Sequence, residues 1–173
     1  MIKIAVIGPE STGKSTLCEA LSKHYNISYV KEFSREFLNQ LGRPYNYEDL
    51  ISIGEGQSKL ISDKLRMSKE LLISDTELMT LKIWSEIKYG KTASEINLML
   101  DEQFFDLYLL CNTDLPWEYD LLREVPNEEK RKDIFTLFKS ILESRNCNFK
   151  VISGRNNERT NMAIDHINSL INR

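Results

Sequence analysis

The sequence predicts an α/β fold: a parallel five-stranded sheet with helices on both faces. Three observations predict it. Short runs rich in Ile, Val and Leu recur at 2–7, 27–30, 71–74, 105–111 and 148–152, and near-continuous apolar runs of that length suit strands covered on both sides. Stretches with apolar residues at helical spacing separate most of them, which calls for right-handed crossovers and parallel pairing. The first run leads straight into Gly8-Pro9-Glu10-Ser11-Thr12-Gly13-Lys14-Ser15, a glycine-rich turn that opens a helix. A four-helix bundle fails, because bundles do not contain such a series of short β-branched runs.

Along the chain, IKIAVI at 2–7 is the first strand, and Leu17, Leu21 and Tyr25 mark the helix after the glycine-rich turn. ISYV at 27–30 reads as a second strand. Phe33 to Leu41 reads as a short helix stopped by Gly42. Leu50, Ile53, Leu60, Ile61 and Leu65 form the apolar side of a helix over 46–69, which Gly54 and Gly56 weaken, since each costs about 1 kcal/mol in a helix interior. LLIS at 71–74 is the third strand, ended by Asp75. Helices follow at 76–89, stopped by Gly90, and at 93–103. FDLYLLC at 105–111 is the fourth strand. Residues 112–131 read as a lid, irregular between Pro116 and Pro126. A charged helix over 127–145, a fifth strand at 148–152 and a last helix over 158–171 complete the order. The expected strand order is 2-3-1-4-5, with ligands at the C-terminal strand ends.

At 173 residues the chain reads as one domain, 1–173. Lys and Arg number 23 against 26 Asp and Glu, a net charge of −3. That balance gives no global attraction to nucleic acid or to anionic membranes, so neither partner is expected. Cys18, Cys111 and Cys147 form no CxxC pair, which argues for reduced thiols in a cytoplasmic protein. The start is too short an apolar stretch for a signal peptide. Oligomeric state stays open.

Residues 8–15 match G-x-x-x-x-G-K-[ST] in full. The glycines allow a backbone wrap whose N–H groups, together with the helix N-terminus, face a phosphate. Lys14 reaches the β and γ oxygens, the Ser15 hydroxyl ligates Mg²⁺, and Thr16 completes the nucleotide-binding stretch. The cofactors implied are ATP and Mg²⁺. Such an enzyme needs a carboxylate at a neighbouring strand end. Asp75 supplies it as a second metal ligand, and it also stands where a helix N-cap belongs. Glu32 follows the second strand, with Arg35 three residues on. Glu32 is the candidate base, or a carboxylate that holds a sugar hydroxyl, against the plainer reading of a solvated turn; Asp75 is the runner-up base. Arg123 in the lid suits a cationic clamp on the transferring group. Ion pairing of Arg123 and Arg131 with Glu124, Glu128 and Glu129 is the competing reading. Trp84, Tyr89 and Trp117 are candidates to stack on a flat, cationic ring, with core packing as the alternative. Gly154 and Arg159, after the fifth strand, stand where this kind of fold lodges adenine.

GPESTGKST at 8–16, KEFSREFL at 31–38, Gly56-Gln57, ISDT at 73–76, FDLYLLCNTDLPWEYDLLRE at 105–124, VISG at 151–154 and Arg159 together resemble the ribosylnicotinamide kinase domain of the bacterial NAD-biosynthesis regulator family NadR. The resemblance implies a P-loop kinase that phosphorylates the 5′-hydroxyl of nicotinamide riboside with ATP and Mg²⁺. The candidate acceptor-site residues are Glu32, Arg35, Trp84, Tyr89, Trp117 and Asp120. Where that family commonly has Gly after the lid aspartate, this chain has Leu121-Leu122 before Arg123, a bulkier lid. The chain carries neither the adenylyltransferase nor the DNA-binding domain of the family's best-known members, so a separate adenylyltransferase partner is an expectation. A kinase for another nucleoside or nucleotide, or a non-catalytic ATP-binding module, are the rivals.

Overall fold

In a computed structural model, residues 1–68 and 70–172 are described. The elements run β1 (Ile2–Ile7), α1 (Lys14–Tyr25), α2 (Phe33–Leu41), α3 (Tyr47–Met67), β2 (Leu71–Asp75), α4 (Leu78–Tyr89), α5 (Ser94–Glu102), β3 (Leu107–Cys111), α6 (Glu128–Ser144), β4 (Phe149–Ile152) and α7 (Asn157–Ile171). The sheet is parallel, with order β2-β1-β3-β4. It has four strands rather than the five expected. The stretch at 27–30 contributes one bridge only, Val30 to Ser74. The reason is local: α1 ends on Asn26 in the left-handed region, and the Ile27 N–H turns back to the Ser22 carbonyl. Only Val30 then reaches the sheet edge, and α2 starts three residues later. The bridge lies beyond β2, so the expected order holds with its outermost strand shortened.

β1 alternates between two buried faces. Ala5 and Ile7 pack with Leu72, Tyr108 and Leu110 against α4 and α6. Ile4 and Val6 pack with Ile73 and Leu109 against α1 and α7. A third cluster joins α3, α4 and α5 through Leu50, Ile53, Leu81 and Ile96. The result is three layers, α/β/α. Among the described residues no helix is long and apolar enough to cross a membrane.

α3 runs unbroken through Gly54 and Gly56. Asn46 and Asp49 form a reciprocal capping box at its start. The two glycines are required by close approach: a Cβ on Gly56 would lie 2.1–2.5 Å from the Phe33 ring, and one on Gly54 would lie 2.9 Å from Met99. They seat α2 and α5 on α3. α4 is capped by Glu77, whose carboxylate accepts from the Met79 N–H at 2.9 Å. Asp75 therefore does not serve as the cap; it is the last residue of β2, and its side chain is used elsewhere.

Candidate active site

The glycine-rich turn lies between β1 and α1 at the C-terminal edge of the sheet. Gly8 has φ 140°, and a Cβ there would sit 2.7 Å from the Cys111 carbonyl oxygen, so only glycine fits. Gly13, at φ 73°, starts α1. The Thr12 hydroxyl donates to the Pro9 carbonyl, and Lys14 Nζ donates to the Gly8 and Pro9 carbonyls at 2.9 and 2.8 Å. The ammonium thus lies folded over the loop it would share with a phosphate.

Ser15 Oγ donates to Asp75 Oδ2 at 2.6 Å, and the buried Asp75 Oδ1 has no partner among the described residues. Burial pushes the Asp75 carboxyl up to about 6, with help from the nearby Glu32 charge; the Ser15 bond, Lys14 and Arg35 pull the other way. Glu32 arrives here through the Val30 bridge. Val30 donates to the Ile73 carbonyl and accepts from the Asp75 N–H, both at 2.8 Å. Gln57 Oε1 accepts from the Phe33 N–H at 2.8 Å and holds the turn that carries Glu32. Glu32 accepts from Ser34 Oγ at 2.7 Å and lines a cavity with Arg35 and the glycine-rich turn.

These residues fit Mg²⁺. An unpartnered carboxylate oxygen next to a hydroxyl is the donor set a hard cation uses. No cluster of three or more His, Cys, Asp or Glu suited to caging an ion exists among the described residues, so phosphate oxygens and water would complete the coordination.

The lid closes over the turn. Ser11 Oγ accepts from the Glu118 N–H at 2.9 Å and from Arg123 Nη1 at 2.8 Å. Arg35 pairs with Asp120 at 2.9 Å. Leu122 lines the cavity, while Leu121 is 86% exposed; the bulk that replaces the expected glycine points partly outward. Arg131 does not join a surface ion pair. It is buried and donates to the Leu115 carbonyl at 3.3 Å, while Glu124 pairs with Lys88 and Glu128 and Glu129 pair with Lys132.

Of the three candidate stacking aromatics, Trp84 lines the cavity. Tyr89 packs edge-on against Tyr47 at 5.4 Å and donates to the Tyr45 carbonyl. Trp117 packs edge-on against Tyr119 at 6.2 Å. Asp75, Tyr89, Trp117, Asp120, Gly154 and Arg159 lie outside the cavity lining. Arg159 is buried behind the phosphate turn, donating to the Thr12 carbonyl at 2.8 Å and to Asp114 at 2.6 Å. Asp114 in turn accepts from the Gly154 N–H. These contacts buttress the turn from outside.

Tyr45 lines the cavity beside Trp84, accepts from the Trp84 indole N–H and has Lys88 Nζ 3.5 Å from its ring centre. Burial pushes its hydroxyl pKa up. The sequence reading missed it, because it sits in a turn with no periodicity. Gln57 carried only one signal, its place beside Gly56 in the family resemblance.

The family model described as an AAA domain matches residues 3–159. The trifunctional NAD biosynthesis/regulator protein NadR of Escherichia coli (strain K12) is 28% identical over 150 residues, 84% of this chain and 37% of that protein. The chain thus spans little more than a third of the length of this curated relative. Among solved structures, NadR in complex with NR superposes with a TM-score of 0.78 at 18% identity, over 97% of this chain and 50% of that one. Thymidylate kinase from Ehrlichia chaffeensis does so at 0.65 and 17%, over 96% and 98%. At these identities the two structures establish a P-loop kinase fold.

Proposed function

This chain belongs to the AAA domain family, and we propose that within it the chain is an ATP-dependent kinase that phosphorylates the 5′-hydroxyl of nicotinamide riboside, yielding nicotinamide mononucleotide in the cytoplasm. One observation carries the phosphotransferase part of that reading. Ser15 and Glu32 line a cavity whose wall includes Trp84 and Tyr45, and Ser15 is bonded to Asp75, whose second oxygen is unpartnered behind that wall. A neutral, purely aliphatic acceptor would have no use for such a wall. The homology to NadR, and the NR bound in a NadR of the same fold, support this choice of acceptor.

In this reading the 8–15 backbone and Lys14 hold the phosphates, with Thr16 in the first turn of α1. Ser15 and Asp75 would hold Mg²⁺, directly or through water; the ion supplies charge neutralisation across the β- and γ-phosphates when bound. Glu32 accepts the proton of the attacking hydroxyl or fixes a ribose hydroxyl. Arg35 and Asp120 orient each other at the acceptor side, and Arg123 stabilises charge on the transferring group from the lid. Gly154 and Arg159 shape the nucleotide end indirectly, through Asp114 and Thr12. A separate adenylyltransferase is the partner that would consume the mononucleotide.

An ADP-release assay over a nucleoside panel tests this. Nicotinamide riboside is expected to be turned over well ahead of uridine and thymidine. The reverse order moves the chain to ordinary nucleoside phosphorylation, as its thymidylate kinase-like fold permits. Absence of release with every acceptor leaves a nucleotide-binding module.

A further inference from the structure

The motif leaves four positions of the phosphate turn open, residues 9–12, among them Glu10 and Ser11. Both face the lid. The Glu10 carboxylate accepts from the Glu124 N–H at 3.0 and 3.1 Å and from the Val125 N–H at 2.9 Å. Ser11, held at φ 55°, accepts from the Glu118 N–H and from Arg123 Nη1. Arg123 also donates to the Glu118 carbonyl at 2.6 Å. Two adjacent residues of the turn therefore grip residues 118, 123, 124 and 125 of the lid. Val125 is buried in the core with Ile134 and Phe138, so the Glu10 grip falls where the lid is rooted. Glu124 is tied at its other end, since its carboxylate meets Lys88 on α4 at 3.2 Å.

A carboxylate beside the phosphate-binding turn carries charge of the ligand's own sign, so its place there calls for another use. Here it is committed to two backbone donors, and bonds to a charged acceptor are the stronger kind.

We propose that Glu10 is a positioning residue, a latch through which the phosphate turn, together with Ser11, holds the lid in the arrangement that aims Arg123 into the cavity. Its catalytic consequence rests on the kinase reading above; the latch itself does not.

The experiment has two parts. Amide hydrogen exchange in Glu10→Ala is expected to be at least about 10-fold faster than wild type at Glu124 and Val125. The amides of β1 should be unchanged, which reports an intact fold. Glu10→Gln keeps one carbonyl oxygen and should fall between. In the transfer assay with nicotinamide riboside, Glu10→Ala should lower kcat about 10-fold with a smaller change in acceptor KM. Added to Arg123→Ala it should cost little more, because both changes remove one device. Wild-type exchange at 124 and 125 in Glu10→Ala overturns the latch, as do losses that multiply in the double variant. If the wild-type chain transfers nothing to nicotinamide riboside, the kinase reading fails while the exchange comparison still decides the latch.

Discussion

Asp75→Asn is expected to make the protein more stable and nearly inactive. The carboxyl titrates at about 6 in the fold against an ordinary value of 3.8, chiefly because it is buried. A group that binds its proton more tightly in the fold gives the native state more protons between those two values. Stability then falls as pH rises through the window from about 4 to 6, and the loss persists above it. About two pKa units at 1.36 kcal/mol each set the cost of holding this carboxylate ionised at about 3 kcal/mol. Asparagine removes that cost and keeps a carbonyl to accept from Ser15. Its amide, however, lands where Asp75 Oδ1 has no partner, and an unmet buried donor costs about 1–3 kcal/mol. The net gain at pH 8 is about 0–2 kcal/mol. For a chain this long each kcal/mol moves Tm by about 2–4 °C, so Tm should rise by up to about 8 °C. At pH 4 the wild-type carboxyl is largely neutral and the advantage should shrink toward zero or reverse. Thermal melts at pH 4, 6 and 8 read this directly, with and without Mg²⁺ and ATP. The ligand should raise the wild-type Tm more than the variant's, because only the wild type keeps the charged metal ligand. A variant less stable than wild type at pH 8, or a Tm difference that is flat with pH, would refute the reasoning.

Lys14→Ala should leave the melt unchanged and collapse kcat, since its charge acts on charge that builds in the transition state; a near-normal kcat in the steady-state assay sinks the phosphate-turn assignment. Glu32→Gln should lower kcat by ~10²–10⁴ if Glu32 takes the proton, with no rescue by excess Mg²⁺. Asp75→Asn should be partly rescued, and the opposite pattern exchanges the two roles. Gly56→Ala should cost about 1–3 kcal/mol by driving a methyl into the Phe33 ring, read as a lower denaturant midpoint at unchanged m, with kcat falling as the Glu32 turn shifts. A neutral isostere of nicotinamide riboside, its ring nitrogen replaced by carbon, should bind about 2–30-fold more weakly. Trp84→Leu should erase most of that difference in a calorimetric titration, and equal affinities in the wild type would remove the cationic ring from the proposal.

The fold was legible because its signals are local. Each apolar run and each helix period is written in consecutive residues, and the glycine-rich turn fixes where the first strand meets its helix. The one strand that failed, 27–30, failed on how the preceding helix ends, which apolar patterning does not encode. Whether Ile27 to Tyr29 join the sheet depends on how α1 ends, and the left-handed Asn26 with its bond back to Ser22 decides that. The cost of Gly54 and Gly56 was visible, but the packing partners that require them lie 23 and 45 residues away in sequence, at Phe33 and Met99.

The site was legible where one residue type must do the chemistry, and illegible where backbone geometry recruits whatever is near. Lys14, Ser15 and Asp75 could be named because few side chains hold a phosphate or a hard cation. Gln57 and Tyr45 could not, since an amide that braces a turn and a phenol that braces an indole are chosen by their distance to Phe33 and Trp84, which only folding sets. The charged lid shows the same division. Arg131 has the composition of a surface ion pair, with glutamates one turn away, yet it is buried against the carbonyl of Leu115, at the start of the lid. Glu10 is the sharpest instance. The motif leaves its position open, since phosphate binding by backbone N–H groups places no demand on that side chain. The residue there is thereby free to serve the lid, and its partners are backbone amides that no sequence pattern marks.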